Sequence, residues 1–400
     1  MTKIARPLGT RLRAVSIALA FAIVLVPAAI ATRAQAQSYK VLYTFTPGPG
    51  GGSPYGGLIR DAQGNLYGTG SAGGNDYGTV FKLDKTGKET VLYSFTGSPD
   101  GRYPMAGFVR DAAGNLYGTT YKGGTEGWGT VFKVAPTGGE TVLYDFTGEA
   151  EGGWPWDDLV RDAQGNLHGT TANGGDYNCG DAGCGAVFEL RTTGTVTALH
   201  TFAGSPDGSV PYSGLVRDAK GNLYGTTYGG GGYGYGTVFK VAENGKETVL
   251  HSFTGSDGAY PYAGLVRDAA GNLYGTTYYG GARGYGTVFK VTETGKESVL
   301  YSFAGGIDGP DGALPCAGLV LDAKGNLYGT TIYGGTYGIG TVFKVAKNGK
   351  ETVLHSFTHW PDGSGPYAGL LRDAKGNLYG TTVWGGSSEC NCGVVFELTP

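Results

Sequence analysis

The hydrophobic positions of this chain fall into short runs separated by turn residues. Between residues 261 and 303 there are four such runs, GLVRD, NLYGTT, GTVFKV and ESVLYSF, and none exceeds seven residues. The first two are joined by Ala-Ala-Gly and the last two by Thr-Glu-Thr-Gly-Lys, which are short connections typical of β-hairpins. No run repeats its apolar residues at a helical spacing over a sufficient length. The pattern therefore predicts four β-strands and no helix.

The same four runs recur along the whole chain. The triplet Gly-Asn-Leu begins at residues 64, 114, 165, 221, 271, 325 and 376, so that the copies follow one another at intervals of 50 to 56 residues. A period near 50 residues made of sheet-forming units is typical of propeller blades. The sequence predicts an all-β fold with seven four-stranded blades.

The two ends of the chain are offset by one strand. Residues 40–45 (KVLYTF) match the fourth run of a copy, and residues 393–398 (GVVFEL) match the third run. The last copy therefore lacks a fourth strand, which the N-terminal segment can supply. Pairing the ends would remove two exposed sheet edges. We expect a seven-bladed β-propeller over residues 37–400, closed by the N-terminal strand completing the last blade.

The repeat unit also resembles known families. The segment PYAGLVRDAAGNLYGTTYYGGARGYGTVFKVTETGKESVLYSF is similar in layout to NHL-like propeller repeats, and closer to the glycine-rich GloVer repeat, named for Gloeobacter and Verrucomicrobia. The resemblance covers residues from about 40 to 400. It implies a propeller in an exported bacterial protein, and it implies no particular activity.

The first 36 residues have the pattern of a secretory signal peptide. Lys3, Arg6 and two further arginines precede an apolar run over residues 14–31, which is followed by Ala34-Gln35-Ala36. We expect cleavage near Ala36 and a secreted or periplasmic protein. An uncleaved membrane anchor is the alternative, and no long apolar segment follows that would insert into a membrane.

Composition and charge restrict the partners. The chain holds 78 Gly, which could suggest disorder. It also holds 28 Tyr and 16 Phe, however, and disordered chains contain few aromatic residues. Removing five of the 30 basic residues with the signal peptide leaves 25 against 33 acidic residues, a net charge of −8. This charge disfavours binding to nucleic acid or to anionic membrane surfaces. We expect a monomer.

Aromatic residues recur in loops that the strand order places on one face of the propeller. They follow the loop proline in five copies and precede the third strand in four, beginning with Tyr77 in the first copy. The residues that we single out as candidates are Tyr55, Trp156, Tyr212, Tyr262 and Tyr367, then Trp128, Tyr235 and Tyr285. Aromatic rings stack on sugars and tyrosine hydroxyls add hydrogen bonds. The face is a candidate platform for a polysaccharide or an extracellular protein; alternatively, the rings only pack between blades.

An enzyme is the second hypothesis, since a lyase or hydrolase site would fit the mouth of a propeller channel. The best acidic pair is Asp157-Asp158, which stands where other copies have Ala-Gly or Ser-Gly. Adjacent residues on a strand point to opposite sides, so we expect no acid/base pair facing one substrate. The sequence thus favours a non-enzymatic binding or scaffold protein, with no catalytic residue and no cofactor.

Histidines and arginines repeat without forming an evident site. His168 replaces a tyrosine of the second strand, and His200, His251 and His355 replace tyrosines of fourth strands, so no metal-like cluster is expected. An Arg-Asp pair ends the first strand in six copies, and we expect each arginine to brace its own hairpin through that aspartate. The alternative is an anion site. The six arginines are Arg60, Arg110, Arg161, Arg217, Arg267 and Arg372.

The cysteines predict two disulfides within loops. Cys179 and Cys390 occupy the same position relative to their Gly-Asn-Leu triplets, and Cys184 and Cys392 both precede the glycine of the third strand. Matching pairs in an exported protein predict the bridges Cys179–Cys184 and Cys390–Cys392. Cys316 is left unpaired.

Overall fold

Seven sheets, each with four antiparallel strands at its centre, make up the fold. The computed structural model describes residues 1–2, 37–306 and 309–400, so the predicted signal peptide lies outside the described residues apart from its first two positions. In chain order the strands are β1 (Ser38–Thr44), β2 (Ile59–Arg60), β3 (Leu66–Gly70), β4 (Thr79–Leu83), β5 (Glu89–Ser94), β6 (Val109–Arg110), β7 (Leu116–Thr120), β8 (Thr130–Val134), β9 (Glu140–Asp145), β10 (Val160–Arg161), β11 (Leu167–Thr171), β12 (Gly174–Gly175), β13 (Gly183–Leu190), β14 (Val196–Thr201), β15 (Val216–Arg217), β16 (Leu223–Thr227), β17 (Thr237–Val241), β18 (Glu247–Ser252), β19 (Val266–Arg267), β20 (Leu273–Thr277), β21 (Thr287–Val291), β22 (Glu297–Ser302), β23 (Val320–Leu321), β24 (Leu327–Thr331), β25 (Thr341–Val345), β26 (Glu351–Ser356), β27 (Leu371–Arg372), β28 (Leu378–Thr382) and β29 (Val394–Thr399).

Each sheet is one blade, and its strands follow chain order from the channel outward. Blades one, two, four, five and six are β2–β5, β6–β9, β15–β18, β19–β22 and β23–β26. Blade three is β10-β11-β13-β14, with the short β12 beside β13, and a 3₁₀ turn at Tyr177–Cys179 precedes β13. Blade seven is β27-β28-β29-β1, in which Ser38 lies opposite Thr399. The predicted propeller and its closure by the N-terminal strand are confirmed.

The first strand of each blade is shorter than the sequence pattern predicts. In blade five it is Val266–Arg267, whereas the run GLVRD covers residues 264–268, and the other three strands agree within one residue. The residues before Val266 do not take part in the hydrogen-bonded sheet of the blade. Residues 262–265 line a cavity instead.

The recurring motif G-N-L-Y-G-T-T explains how each blade holds its inner hairpin. In blade four, Asp218 accepts hydrogen bonds from the backbone N–H of Asn222 at 2.9 Å, from its amide at 2.7 Å and from the Tyr224 hydroxyl at 3.0 Å. Burial alone would raise the pKa of Asp218, but these hydrogen bonds lower it below its usual value overall. The turn is therefore closed by an ionised carboxylate.

Phenylalanines fill the space within and between blades. The ring of Phe239 packs directly on Gly225, which leaves no room for a side chain at that position. A Cβ there would lie 2.6 Å from the ring. At each blade boundary a second phenylalanine packs edge-on against the next blade, as Phe253 does against Phe289 at 5.1 Å between ring centroids. All three rings are fully buried. The core is thus a ring of aromatic contacts that runs around the propeller.

The arginines at the ends of the first strands do not contact the aspartates that follow them. Arg267 lies over the ring of Tyr224 in the preceding blade at 5.7 Å, and Arg110 lies over Tyr67 at 5.9 Å. Arg60 pairs across the boundary with Asp373 at 3.5 Å. The expected brace within one hairpin is therefore wrong, since the following aspartate is already occupied by its own turn. These arginines join neighbouring blades.

Candidate functional site

One cavity lies at the mouth of the central channel, where the loops that lead into the first strands converge. Its volume is about 260 Å³. Aromatic residues from four blades contribute to its wall, together with two carboxylates, a thioether, a thiol and several backbone glycines. The side chains that line it include Tyr55, Met105, Trp156, Asp157, Asp158, Tyr262, Cys316 and Tyr367, with leucines and alanines between them. We call it the channel cavity.

Four of the eight predicted aromatic residues line this cavity, and a fifth supports it. Tyr212 stacks on Tyr262, with ring centroids 4.9 Å apart and planes 23° apart, and packs edge-on against Trp156 at 5.6 Å. Across the mouth, Tyr55 and Tyr367 lie 5.2 Å apart. All five rings are half-buried. They are therefore held in place by one another while keeping part of their surface toward the channel.

The tyrosine hydroxyls of the cavity stay protonated at neutral pH. Burial raises the pKa of Tyr262, and the neighbouring Tyr212 raises it further. Burial likewise raises the pKa of Tyr55 and Tyr367. Each hydroxyl can therefore both donate and accept a hydrogen bond to a ligand.

Asp157 and Asp158 introduce two carboxylates at the position where other blades have small residues. Oδ2 of Asp157 accepts from the N–H of Gly214 in blade four at 2.6 Å, and Oδ1 of Asp158 accepts from the N–H of Gly107 in blade two at 2.5 Å. The N–H of Asp158 donates to Oδ1 of Asp157 at 2.8 Å. The pair thus links blade three to both of its neighbours.

The sequence-based expectation for this pair is only half right. The two carboxylates do turn toward opposite neighbours, but both line the same cavity. The reason is that they precede β10, so the alternation of a strand does not separate them. Burial and then the charge of Asp157 raise the pKa of Asp158 to about 7, and burial raises that of Asp157. The pair therefore binds a proton more readily than free aspartates do.

The other three predicted aromatic residues lie outside the channel cavity. Trp128 packs on Trp154 with centroids 5.2 Å apart, and Tyr235 packs against Tyr260 at 5.7 Å. Tyr285 is half-buried against the loop of the next blade. Trp128 and Tyr285 thus pack between blades, whereas Tyr235 remains 37% exposed.

Sequence reasoning missed the residue that precedes each loop proline. In six blades this residue is not glycine yet has a φ between 48° and 58°, a region that L-residues rarely adopt; examples are Trp154 at 57° and Val210 at 55°. Its N–H donates to the preceding blade, as Trp154 does to the carbonyl of Trp128 at 2.7 Å. This bond fixes the turn that places Trp156 at the cavity. The only available signal was the proline itself.

Both predicted disulfides are confirmed. Cys179 is bonded to Cys184 and Cys390 to Cys392, and each bridge belongs to a loop that supports the cavity. The carbonyl of Cys184 accepts from Val210 at 2.8 Å in the same way as Trp128 accepts from Trp154. Cys316 is a buried free thiol whose pKa is raised to about 12 by burial, so it stays protonated.

The expectation that histidines form no cluster is wrong for three of them. Each has two carboxylates with ligand atoms mutually within 4.8 Å: Asp162, His168 and Glu189; His200, Asp207 and Glu247; His251, Asp257 and Glu297. The latter two span blade boundaries, which spacing within one copy does not reveal. In these two, the histidine Nε2 is already hydrogen-bonded to aspartate, at 3.1 Å for His200 and 2.9 Å for His251.

The chain matches the model of the Gloeobacter/Verrucomicrobia repeat over residues 30–181, 75–270, 177–320 and 271–400. No curated protein matches it. Among solved structures, virginiamycin B lyase from Staphylococcus aureus is similar at 14% identity and a TM-score of 0.61, over 91% of this chain and 99% of that one. The gluconolactonase XC5397 from Xanthomonas campestris is similar at 14% identity and a TM-score of 0.46, over 90% and 89%. At these identities the likeness concerns the propeller fold alone.

Proposed function

The chain belongs to the Gloeobacter/Verrucomicrobia repeat family, and we propose that it is an exported carbohydrate-binding propeller whose channel cavity takes one sugar ring. The observation that carries this proposal is the convergence of Tyr55, Trp156, Tyr262 and Tyr367 with two carboxylates on one cavity. Aromatic faces stack on the apolar faces of sugars, while carboxylates and hydroxyls bind sugar hydroxyl groups.

The size of the cavity restricts the ligand. Its volume of about 260 Å³ lies just below the roughly 300–1,000 Å³ of pockets that hold drug-sized molecules. A single ring fits such a space better than several consecutive sugars do. We therefore expect the protein to bind the end or a side branch of a polysaccharide, with the rest of the chain outside the cavity.

Export is supported by the disulfides and by the N-terminal sequence. Cys179–Cys184 and Cys390–Cys392 are bonds that form and persist in oxidising compartments. Within the residues that the structure describes, no helix is long and apolar enough to span a membrane. The periplasm or the cell exterior, where polysaccharides are abundant, is consistent with such a ligand.

The acidic pair favours a second candidate, a lyase or hydrolase acting in the same cavity. Asp158, with a pKa of about 7, has the proton affinity of a general acid at neutral pH. Three of the four oxygens of the pair, however, accept backbone N–H groups from Gly107, Asp158 and Gly214. Oδ2 of Asp158 alone accepts no backbone N–H group, so a separate acid and base would require an oxygen that is already hydrogen-bonded to the backbone to act as well. Binding without catalysis is the better supported function.

A glycan array followed by calorimetry on the best ligand tests the proposal. The variant Trp156→Ala/Tyr262→Ala should bind about 10-fold to 100-fold more weakly, since an aromatic contact contributes roughly 0.5–1.5 kcal/mol beyond the area it buries. The matched control is Tyr233→Ala/Tyr337→Ala, which removes two rings that are 65% and 60% exposed and lie outside the cavity. Equal binding by the two double variants would contradict the proposal, as would the absence of any glycan ligand. New reducing or unsaturated ends on a bound glycan would favour the enzyme.

A further inference from the structure

We propose that blade three carries a zinc site formed by Asp162, His168 and Glu189. These residues come from the first turn, the second strand and the third strand of the blade, which lie side by side in the sheet. Their ligand atoms all lie within 4.8 Å of one another. The site is independent of the channel cavity, whose lining residues it does not share.

His168 is the observation that points to a ligand. Its residue surface is only 6% exposed, and among the residues that the structure describes neither ring nitrogen has a hydrogen-bond partner. Nε2 lies 3.7 Å from Oδ2 of Asp162, which is too long for a hydrogen bond. A buried imidazole without a partner is costly, and an ion bound between these groups would satisfy one of its two ring nitrogens.

The other blades show how unusual this arrangement is. Six of them have a tyrosine at the position of His168, and in blade four the Tyr224 hydroxyl donates to Asp218 at 3.0 Å while Lys240 lies over its ring at 5.8 Å. Blade three replaces both partners, with His168 for the tyrosine and Glu189 for the lysine. A hydrogen-bond donor and a cation are exchanged for two metal-ligating groups.

Blade seven provides an internal comparison. There Glu397 also stands at the lysine position, but the tyrosine is kept, and Tyr379 donates to Glu397 at 2.9 Å. With a tyrosine present the glutamate is satisfied by an ordinary hydrogen bond. The unsatisfied arrangement therefore arises only where the histidine and the glutamate occur together.

Neighbouring groups hold the two carboxylates in place. The backbone N–H of Asn166 donates to Oδ1 of Asp162 at 2.8 Å and its side chain donates to Oδ2 at 2.9 Å, while Arg191 donates to Oε2 of Glu189 at 3.0 Å. Such partners orient the ligands of protein metal sites.

The donor set selects the class of ion. One imidazole nitrogen and two carboxylate oxygens suit zinc, which accepts three protein ligands and a water at roughly 2.0–2.2 Å. Zinc ligands in tetrahedral geometry stand about 3.4 Å apart, so Nε2 of His168 and Oδ2 of Asp162, which lie 3.7 Å apart, are already close to that separation, and Glu189 has to approach them. Calcium and magnesium prefer six or more oxygen ligands, and the site offers too few.

Equilibrium dialysis of the untagged protein against Zn²⁺, with the bound metal quantified, tests this site. The variant His168→Tyr restores the residue of the other six blades, so it should fold normally while losing one equivalent of bound zinc. The variant Glu189→Lys, which also restores the common residue, should lose the same equivalent. Zinc should raise the Tm of the unsubstituted protein and leave that of His168→Tyr unchanged, because a ligand stabilises only the state that binds it.

The double variant His200→Tyr/His251→Tyr is the matched control. It makes the same replacement in the two clusters at blade boundaries, and it should retain the equivalent of zinc that His168→Tyr loses. The proposal is overturned if the unsubstituted protein binds no zinc. It is equally overturned if His168→Tyr binds as much zinc as the unsubstituted protein, or if only the control variant loses it.

Discussion

Val41 in the first strand lies directly opposite Phe396 in the last, so the two ends of the chain share one sheet. The strand β1 continues into Phe45, which is fully buried and packs edge-on against Phe81 of blade one at 5.2 Å. The contact between Phe253 and Phe289, inside the ring, has the same geometry at 5.1 Å. The closing boundary is therefore built like the internal boundaries.

Because the two boundaries are built alike, removing the phenylalanine ring at either one should lower the free energy of unfolding by the same amount. Phe45→Ala and Phe253→Ala should each lower the free energy of unfolding by about 3–5 kcal/mol, the usual cost of removing a buried phenylalanine ring. Urea unfolding followed by circular dichroism measures both. A cost below about 1 kcal/mol for Phe45→Ala alone would mean that the N-terminal strand is not part of the closed ring.

A glycine in the second strand is predicted to be required for packing. In Gly225→Ala the new methyl group would meet the ring of Phe239 at 2.6 Å, so the ring must move and stability should fall by roughly 1–3 kcal/mol. Gly232→Ala is the control, since a Cβ at Gly232 meets nothing within 4 Å. Thermal unfolding of both variants checks the difference, and equal Tm values would show that the phenylalanine ring adapts without cost.

The sequence predicted the features that repeat at fixed spacing. Because every copy carries Gly-Asn-Leu and the same four runs, the strands, the hairpin turns and the offset of the ends could be placed from the sequence. Cys179 and Cys390 could be paired for the same reason, since they occupy corresponding positions in loops of the same kind. Local chemistry and a known period were sufficient for these conclusions.

Contacts between blades could not be predicted, because they depend on the rotation from one blade to the next. Arg267 lies over Tyr224 of the preceding blade, although its nearest acidic neighbour in the sequence is Asp268. His200 meets Glu247 only because the outer strands of blades three and four run close together. For the same reason, the sequence alone could not decide whether Trp128 contacts a ligand or packs against Trp154.

The five cysteines should separate into two classes, one buried free thiol and four bridged cysteines. The native protein should react with no thiol reagent, because Cys316 is buried and the other four cysteines are paired. Unfolding without reduction should expose one thiol, and unfolding with reduction should expose five. Mass spectrometry after alkylation counts them. Five reactive thiols in the unreduced unfolded protein would show that the bridges do not form, and would remove a main support for export.

Four glutamates at the blade boundaries are predicted to make stability depend on pH. Glu140, Glu247, Glu297 and Glu351 each begin an outer strand next to an aspartate of the preceding boundary loop. Burial, followed by the charge of that aspartate, raises the pKa of each to about 7 from an unfolded value near 4.5. Between these values the folded protein binds more protons than the unfolded chain. The stabilisation that they contribute is therefore complete below about pH 4.5 and is lost as the pH rises through about 7.

The variant in which all four become glutamine should isolate this effect. Relative to the unsubstituted protein, its free energy of unfolding should increase from pH 5 to pH 8, by a few tenths of a kcal/mol per site because the groups are half-exposed and screened by solvent. The aspartates that close the inner turns titrate in both proteins, so their contribution cancels in the difference. The fold tolerates uncharged residues at this position, since Val196 and Tyr39 stand there in blades three and seven. A difference in unfolding free energy that is the same at both pH values would mean that these carboxyl groups ionise as freely in the folded protein as in the unfolded chain.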